Sequence, residues 1–258
     1  MNAEIAKFRE IIIRQETEFP KAFTNYEERD YGILFHNAEN GESYDSNHAV
    51  IYPERIVELR PVLHDIASFY RSVNDGLYFS VYHPFVDNYF INNAGALKEC
   101  GYQFTICPDA RIMLLTGETA VSAPRRLEIK RIEAWSERAE RDVLACVENK
   151  PHFAEVLRRS MGEGHYLFIG YLGGEAVSLL AFTVSELGIT RFDEMGTAIP
   201  HRNRGFAREM NGFAADCVRE RGFPVAYQWP AHKTSERITT EAGFRVAFTL
   251  PAGYACLA

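Results

Sequence analysis

The sequence predicts an α/β protein of the mixed, α+β kind: two sheets flanked by helices, in tandem, with the C-terminal unit the complete one. Three observations predict it. Strand-like and helix-like stretches alternate through residues 127–258. The order strand, helix, strand, helix, Gly-aromatic, strand occurs twice along the chain. The charge is divided: residues 1–124 hold 10 Lys+Arg against 18 Asp+Glu, a net of −8, and the rest hold 18 against 17, a net of +1. With 47 % apolar and 24 % charged residues, the 258-residue chain has the composition of a folded protein with a sizeable core.

The C-terminal elements follow in order. Helical spacing runs over Trp135–Glu148 and Phe153–Ser160, broken at Lys150-Pro151. A hairpin follows, His165–Tyr171 and Glu175–Val184, whose Gly173-Gly174 pair supplies the positive φ of a tight turn. A strand is expected from Thr190 to Ile199, stopped by Pro200. Phe206, Met210, Phe213 and Cys217 form one apolar helical stripe, closed by Arg219, Arg221 and Gly222. A strand over Phe223–Trp229, a short helix from Thr234-Ser235 to Gly243, and a strand Phe244–Leu250 finish the order.

The N-terminal half parallels this. Leu77–Pro84 matches Gly222–Pro230 as a strand with a late tyrosine and a closing proline. Leu97–Phe104 parallels Thr239–Val246, Asn47–Arg55 parallels Gly196–Arg202, and an amphipathic helix is expected over Ile56–Val73. Residues 116–126, small and polar with Gly117 and Pro124, form the expected linker, giving domains 1–118 and 127–258.

Several function classes are disfavoured. A net charge of −7 and a pI near 5.7 argue against a nucleic-acid partner. No apolar run reaches the roughly 20 residues of a membrane helix, and Met1–Lys7 shows no secretory leader, so a cytoplasmic protein without a membrane partner is expected. The five scattered cysteines, with no CxxC, HExxH or GxSxG, suggest reduced thiols and no metal.

The chemistry concentrates at Pro200-His-Arg-Asn-Arg-Gly-Phe-Ala-Arg. A strand delivers the chain to a turn, Gly205 permits close backbone approach, and the amides of a helix N-terminus face outward: a metal-free cradle for a pyrophosphate. Arg202, Arg204 and Arg208 add positive charge. The local pattern alone is weak, since Arg159-Ser-Met-Gly-Glu-Gly also fits it, but that copy precedes a strand. In the first half the equivalent Pro53–Arg60 lacks glycine and carries Glu54 and Glu58, which would repel a phosphate.

Residues 194–244 resemble the GCN5-related N-acetyltransferases (the GNAT superfamily). The likeness rests on Gly196-Thr-Ala-Ile-Pro, Arg202-Asn-Arg-Gly-Phe-Ala and Thr239-Thr-Glu-Ala-Gly-Phe, and extends over about residues 127–258. The resemblance implies tandem GNAT-like sheets, the first degenerate. It implies acetyl-CoA or another acyl-CoA as cosubstrate, bound by Met195, Gly196, Thr197, Ala198 and Ile199 along the strand and by Arg202, Asn203, Arg204, Gly205, Phe206, Ala207 and Arg208 at the loop. Many members carry a tyrosine as general acid where Thr239 stands here. His232 occupies a common asparagine position, and Ser235 follows. His232 would contact the cosubstrate or shuttle a proton, or be an exposed loop histidine. For the base, alternation puts Asp193 and Glu194 on opposite strand faces, and Glu194 is favoured. Tyr227 and Trp229 line the acceptor cleft or fill core.

The expected function is transfer of an acetyl group from acetyl-CoA to a primary amine, a small molecule or a peptide. A non-catalytic acyl-CoA-binding module and a nucleotide-binding enzyme are the alternatives. Acceptor identity and oligomeric state are not legible.

Overall fold

The computed structural model describes residues 3–73, 80–82, 88–116, 125–186, 188–223 and 225–257. In chain order the elements are helix α1 (Ala3–Glu18), strands β1 (Asn25–Arg29), β2 (Gly32–His36) and β3 (His48–Ile51), helix α2 (Leu59–Val73), strand β4 (Ser80–Tyr82), helices α3 (Tyr89–Asn92) and α4 (Ala94–Glu99), and strands β5 (Tyr102–Leu115) and β6 (Glu128–Ile132). Then come helices α5 (Glu137–Cys146) and α6 (Pro151–Ser160), strands β7 (His165–Leu172), β8 (Glu175–Val184) and β9 (Thr190–Thr197), helix α7 (Phe206–Glu220), strand β10 (Ala226–Gln228), helix α8 (Lys233–Glu241) and strand β11 (Phe244–Leu257).

The chain forms two compact units. One holds the chain up to Ile11 together with Arg111–Thr249. The other holds Ile12–Ala110 and the chain from Leu250 on. In the 111–249 unit the strand order is β5–β10–β9–β8–β7–β6, and in the 12–110 unit it is β1–β2–β3–β4–β11–β5. The two show the same pairing. Each contains an antiparallel hairpin (β1–β2, β7–β8), an antiparallel third strand (β3, β9), and then a parallel strand reached through a helix (β4, β10). The tandem reading is therefore visible in the topology.

The units do not follow the expected domains 1–118 and 127–258. The reason is that β5 and β11 are 14 residues each, and each is divided between the units, β5 after Ala110 and β11 after Thr249. Tyr254 and Cys256 pair with Tyr82 and Ser80, whereas Met113 and Leu114 pair with Gln228 and Tyr227. Most of the expected linker, residues 117–124, lies outside the described residues, as does most of the Leu77–Pro84 parallel.

Local chemistry explains most boundaries. Ser136 caps α5, its Oγ accepting from the Ala139 amide at 3.2 Å, and Pro151 opens α6. Gly173 and Gly174, both at positive φ, turn the β7–β8 hairpin, and Gly222 at φ 62 follows α7. The expected strand to Ile199 ends instead at Thr197, because Pro200 sits in a 3-10 turn over Ile199–His201. Strand β11 continues past the expected Leu250, β10 is three residues long, and α2 begins at Leu59 rather than Ile56. Strand β6 and the β1–β2 hairpin were not expected.

In the 111–249 unit the sheet buries both faces. Val177, Leu180 and Phe182 pack with Phe206, Met210 and Ala214 of α7. Ala176, Leu179 and Ala181 pack with Val143, Cys146 and Leu157 of α5 and α6. Each fully buried Val, Leu, Phe or Met among these contributes roughly 1.5–3 kcal/mol. The 12–110 unit has its own core, centred on Leu63, Ile66 and Tyr70 of α2.

One buried group there makes stability pH-dependent. The His48 ring stacks on Tyr44 at 5.0 Å, and its Nδ1 lies 3.1 Å from the Tyr44 carbonyl. A carbonyl only accepts, so Nδ1 donates. Burial pushes His48 down to about 4 from an ordinary 6.5. Below pH 6.5 the unfolded chain takes up a proton that the folded chain refuses, so stability falls from pH 6.5 toward 4 and is flat above. The loss reaches up to about 3 kcal/mol. Urea unfolding midpoints at pH 7 and 4.5 should differ, and His48→Phe should flatten the difference.

Candidate active site

The site is built on the parting of β9 from β10. These parallel strands pair at Thr190–Ala226 and Arg191–Tyr227, with the Thr190 amide donating to the Val225 carbonyl at 2.8 Å. Beyond these pairs β10 ends at Gln228 while β9 runs on to Thr197. Ser178 Oγ donates to the Gly196 carbonyl (2.7 Å) and the Ala198 amide to the Val177 carbonyl (3.0 Å), so residues 196 and 198 address β8. Strand alternation then turns the backbone of Met195 and Thr197 to the open edge. A substrate can therefore meet β9 as an added strand would.

Gly196 has a packing reason as well. A Cβ there would lie 2.7 Å from the Cys146 carbonyl at the end of α5. The pairing of β8 with β9 slips between Leu180–Met195 and Phe182–Phe192, so β9 advances one residue more than β8. This bulge corrects the expected alternation, because Asp193 and Glu194 both line the cavity. The Arg191 guanidinium donates to Asp193 Oδ1, and Thr183 Oγ1 donates to Oδ2 at 2.6 Å.

At the far end of β9 lies the cradle. Asn203 (φ 60) and Gly205 (φ 86) are both left-handed, and Gly205 is the residue from which α7 starts. The amides of the first turn of α7 open toward the cavity that Gly205, Phe206, Ala207 and Arg208 line. The loop is braced from outside the motif. Arg126 Nη2 donates to the Arg204 carbonyl at 2.6 Å, and its guanidinium stands 4.7 Å over the Phe206 ring. The buried Glu209 fixes that brace, its Oε1 accepting from the amides of Arg126 (2.5 Å) and Leu127 (2.6 Å).

The three expected phosphate arginines have partners of their own. Arg202 bonds Glu148 and the Thr197 carbonyl (3.1 Å), and it holds the Glu148 carboxyl below its ordinary range. Arg208 bonds Glu241 at 3.1 Å. Arg204 meets His201 and stands over Phe206, outside the cavity wall. The cradle is thus made chiefly of backbone. In the 12–110 unit the matching turn is a 3-10 turn over Pro53–Arg55, no residue of 52–58 has a positive φ, and Glu54 and Glu58 are exposed.

One cavity of about 820 Å³ joins these parts. Of the residues expected to serve, it takes in Glu194, Met195, Gly196, Thr197, Arg202, Asn203, Gly205, Phe206, Ala207, Arg208, His232 and Ser235. Ala198 is buried and Ile199 is 60 % exposed, and neither belongs to the wall. Trp229 lines it, whereas Tyr227 is core. His232 is the N-cap of α8. The Ser235 amide donates to its Nδ1 (3.1 Å), and the His232 amide donates to Ser235 Oγ (3.1 Å). With Nδ1 accepting, the neutral ring carries its proton on Nε2.

Thr239 is fully buried, and its Oγ1 lies 2.9 Å from both the Ser235 carbonyl and Gln228 Oε1, which share its single proton. It does not reach the cavity, so it is no proton donor there. Sequence reasoning missed Gln228 and the α5–α6 connection, where Glu148, Lys150 and Phe153 form a wall. The one sequence signal for that wall was Asn149-Lys150-Pro151, which marks a turn; Glu148 and Asn149 are both left-handed. Among the described residues no cluster of His, Cys, Asp and Glu could hold a metal ion, and no described helix is long and apolar enough to cross a membrane.

No protein-family profile matches the chain, and no curated protein matches it in sequence. Solved structures do. A GCN5-related N-acetyltransferase from Kribbella flavida superposes with a TM-score of 0.66 at 15 % identity, over 96 % of this chain and 95 % of that one. A tandem GNAT protein from the clavulanic acid biosynthesis pathway gives 0.56 at 10 % identity, over 82 % and 75 %. A GCN5-related N-acetyltransferase from Sphaerobacter thermophilus gives 0.53 at 15 %, over 96 % and 84 %. At such identities the likeness is one of fold: this chain has the GNAT fold, in a tandem arrangement.

Proposed function

We propose, from a chain with the GNAT fold, that this protein is an N-acetyltransferase that moves an acetyl group from acetyl-CoA to a primary amine, borne by a small molecule or a peptide. One observation carries the reading: a single cavity holds both a backbone cradle at the N-terminus of α7 and the edge of β9 beyond its pairing with β10. The cradle fits a pyrophosphate without metal, and the edge fits an amide-containing arm that hydrogen-bonds as a strand does.

Glu194, in the cavity wall beside the edge of β9, is the carboxylate assigned to take the amine proton, directly or through water. The amides at the open edge of β9 would stabilise the carbonyl oxygen as charge builds on it. Glu194 and Trp229, both in the cavity wall, would suit the ammonium form of the acceptor. The 12–110 unit, without a cradle, would serve as scaffold.

Free-thiol release from acetyl-CoA, followed across a panel of primary amines, should exceed the amine-free rate for at least one of them, and Glu194→Gln should lower it about 10²-fold or more. Acetyl-CoA binding with no release across the panel would favour the non-catalytic acyl-CoA-binding module. The burial of Thr239 and the capping role of His232 give that second reading its ground.

A further inference from the structure

We infer that Gln228 donates a hydrogen bond to the departing sulfur, in place of the general acid that Thr239 does not supply. The inference rests on the acyltransferase reading above and adds a residue to it. Gln228 is 7 % exposed, yet it forms part of the cavity wall. Its Oε1 is turned inward, accepting from Asn211 Nδ2 at 3.2 Å and sharing with the Ser235 carbonyl the one proton of Thr239 Oγ1, 2.9 Å away. With both inner donors on Oε1, the amide group is left to present Nε2 to the cavity.

The position matters as much as the orientation. Gln228 directly follows Tyr227, the last residue of β10 paired with β9, and so stands where the two strands part. An arm that starts at the cradle and follows β9 from Thr197 toward its bulge ends against Gln228 on one strand and Asp193–Glu194 on the other.

The chemistry there calls for a donor rather than an acid. As the amine nitrogen bonds the carbonyl carbon, a proton passes from nitrogen to the carboxylate or to water. The C–S bond then breaks with its electron pair on sulfur. A thiol has an ordinary pKa of about 8.5, so near neutral pH the sulfur can leave as thiolate and take its proton from water afterwards. A carboxamide N–H gives up no proton but stabilises that anion, most effectively where water is excluded.

The test needs no acceptor. CoA bound to the protein is titrated by the ultraviolet absorbance of its thiolate, with desulfo-CoA as the sulfur-free control. The unmodified protein should hold the thiol about one unit, tenfold, below its value in Gln228→Leu. Gln228→Glu keeps an oxygen for Asn211 and Thr239 but offers the cavity a second oxygen, so it should fold and raise the thiol further. Desulfo-CoA should bind all three proteins alike. A thiol pKa unchanged by either substitution would overturn the role of Gln228 while leaving the acyltransferase reading intact. Failure of CoA to bind the unmodified protein would overturn both.

Discussion

Gly205→Asp is expected to weaken acetyl-CoA binding by at least about 100-fold, or about 3 kcal/mol, in a calorimetric comparison with the unmodified protein. Three effects point the same way. Gly205 has φ 86, a conformation that costs an L-residue roughly 1–2 kcal/mol. A Cβ there would stand 3.3 Å from Arg126 Nη2, which braces the loop through the Arg204 carbonyl. The new carboxylate would face the amides that a pyrophosphate would use, and two anions cannot share them. Gly205→Ala separates these effects, since it keeps the strain and adds no charge. It should lose distinctly less affinity, and equal losses would show that the cradle does not read charge.

Glu209→Ala should cost about 2–3 kcal/mol of stability, read from denaturant midpoints, because it strands the buried amide of Leu127 and removes the acceptor of the part-buried Arg126 amide. The consequence extends to the cradle. Residues 126 and 127 hold the start of β6, and Arg126 carries the brace on Arg204. Glu209→Gln keeps one acceptor oxygen and should recover most of the stability. If Glu209→Ala leaves both stability and acetyl-CoA affinity unchanged, the cradle is held by the motif alone.

What was legible in the sequence was local. The stripe of α7, the Gly173-Gly174 turn and the 202–207 loop each depend on residues close in sequence, and the structure shows all three where expected. The repeated order of strand, helix, strand and helix along the chain is also present, as β3–α2–β4–α4 and β9–α7–β10–α8. What was not legible was set by distant partners. Strand β6 reads as polar because it lies at a sheet edge. The bulge of β9 comes from its slip against β8, so alternation misplaced Asp193. His232 looked available for chemistry because nothing nearby announces a cap through Ser235. Gln228 becomes a site residue only once Asn211 and Thr239 arrive from two helices, and the sharing of β5 and β11 between units depends on pairing across more than 100 residues.

The most direct test of the account is titration of acetyl-CoA into the unmodified protein, repeated in the presence of ATP. The account predicts one saturable site with a dissociation constant in the micromolar range, about −8 kcal/mol, displaced by CoA and little affected by equimolar ATP. ATP has phosphates for the cradle but no arm for the edge of β9. No measurable binding of acetyl-CoA, or binding that ATP displaces as well as CoA does, would contradict it.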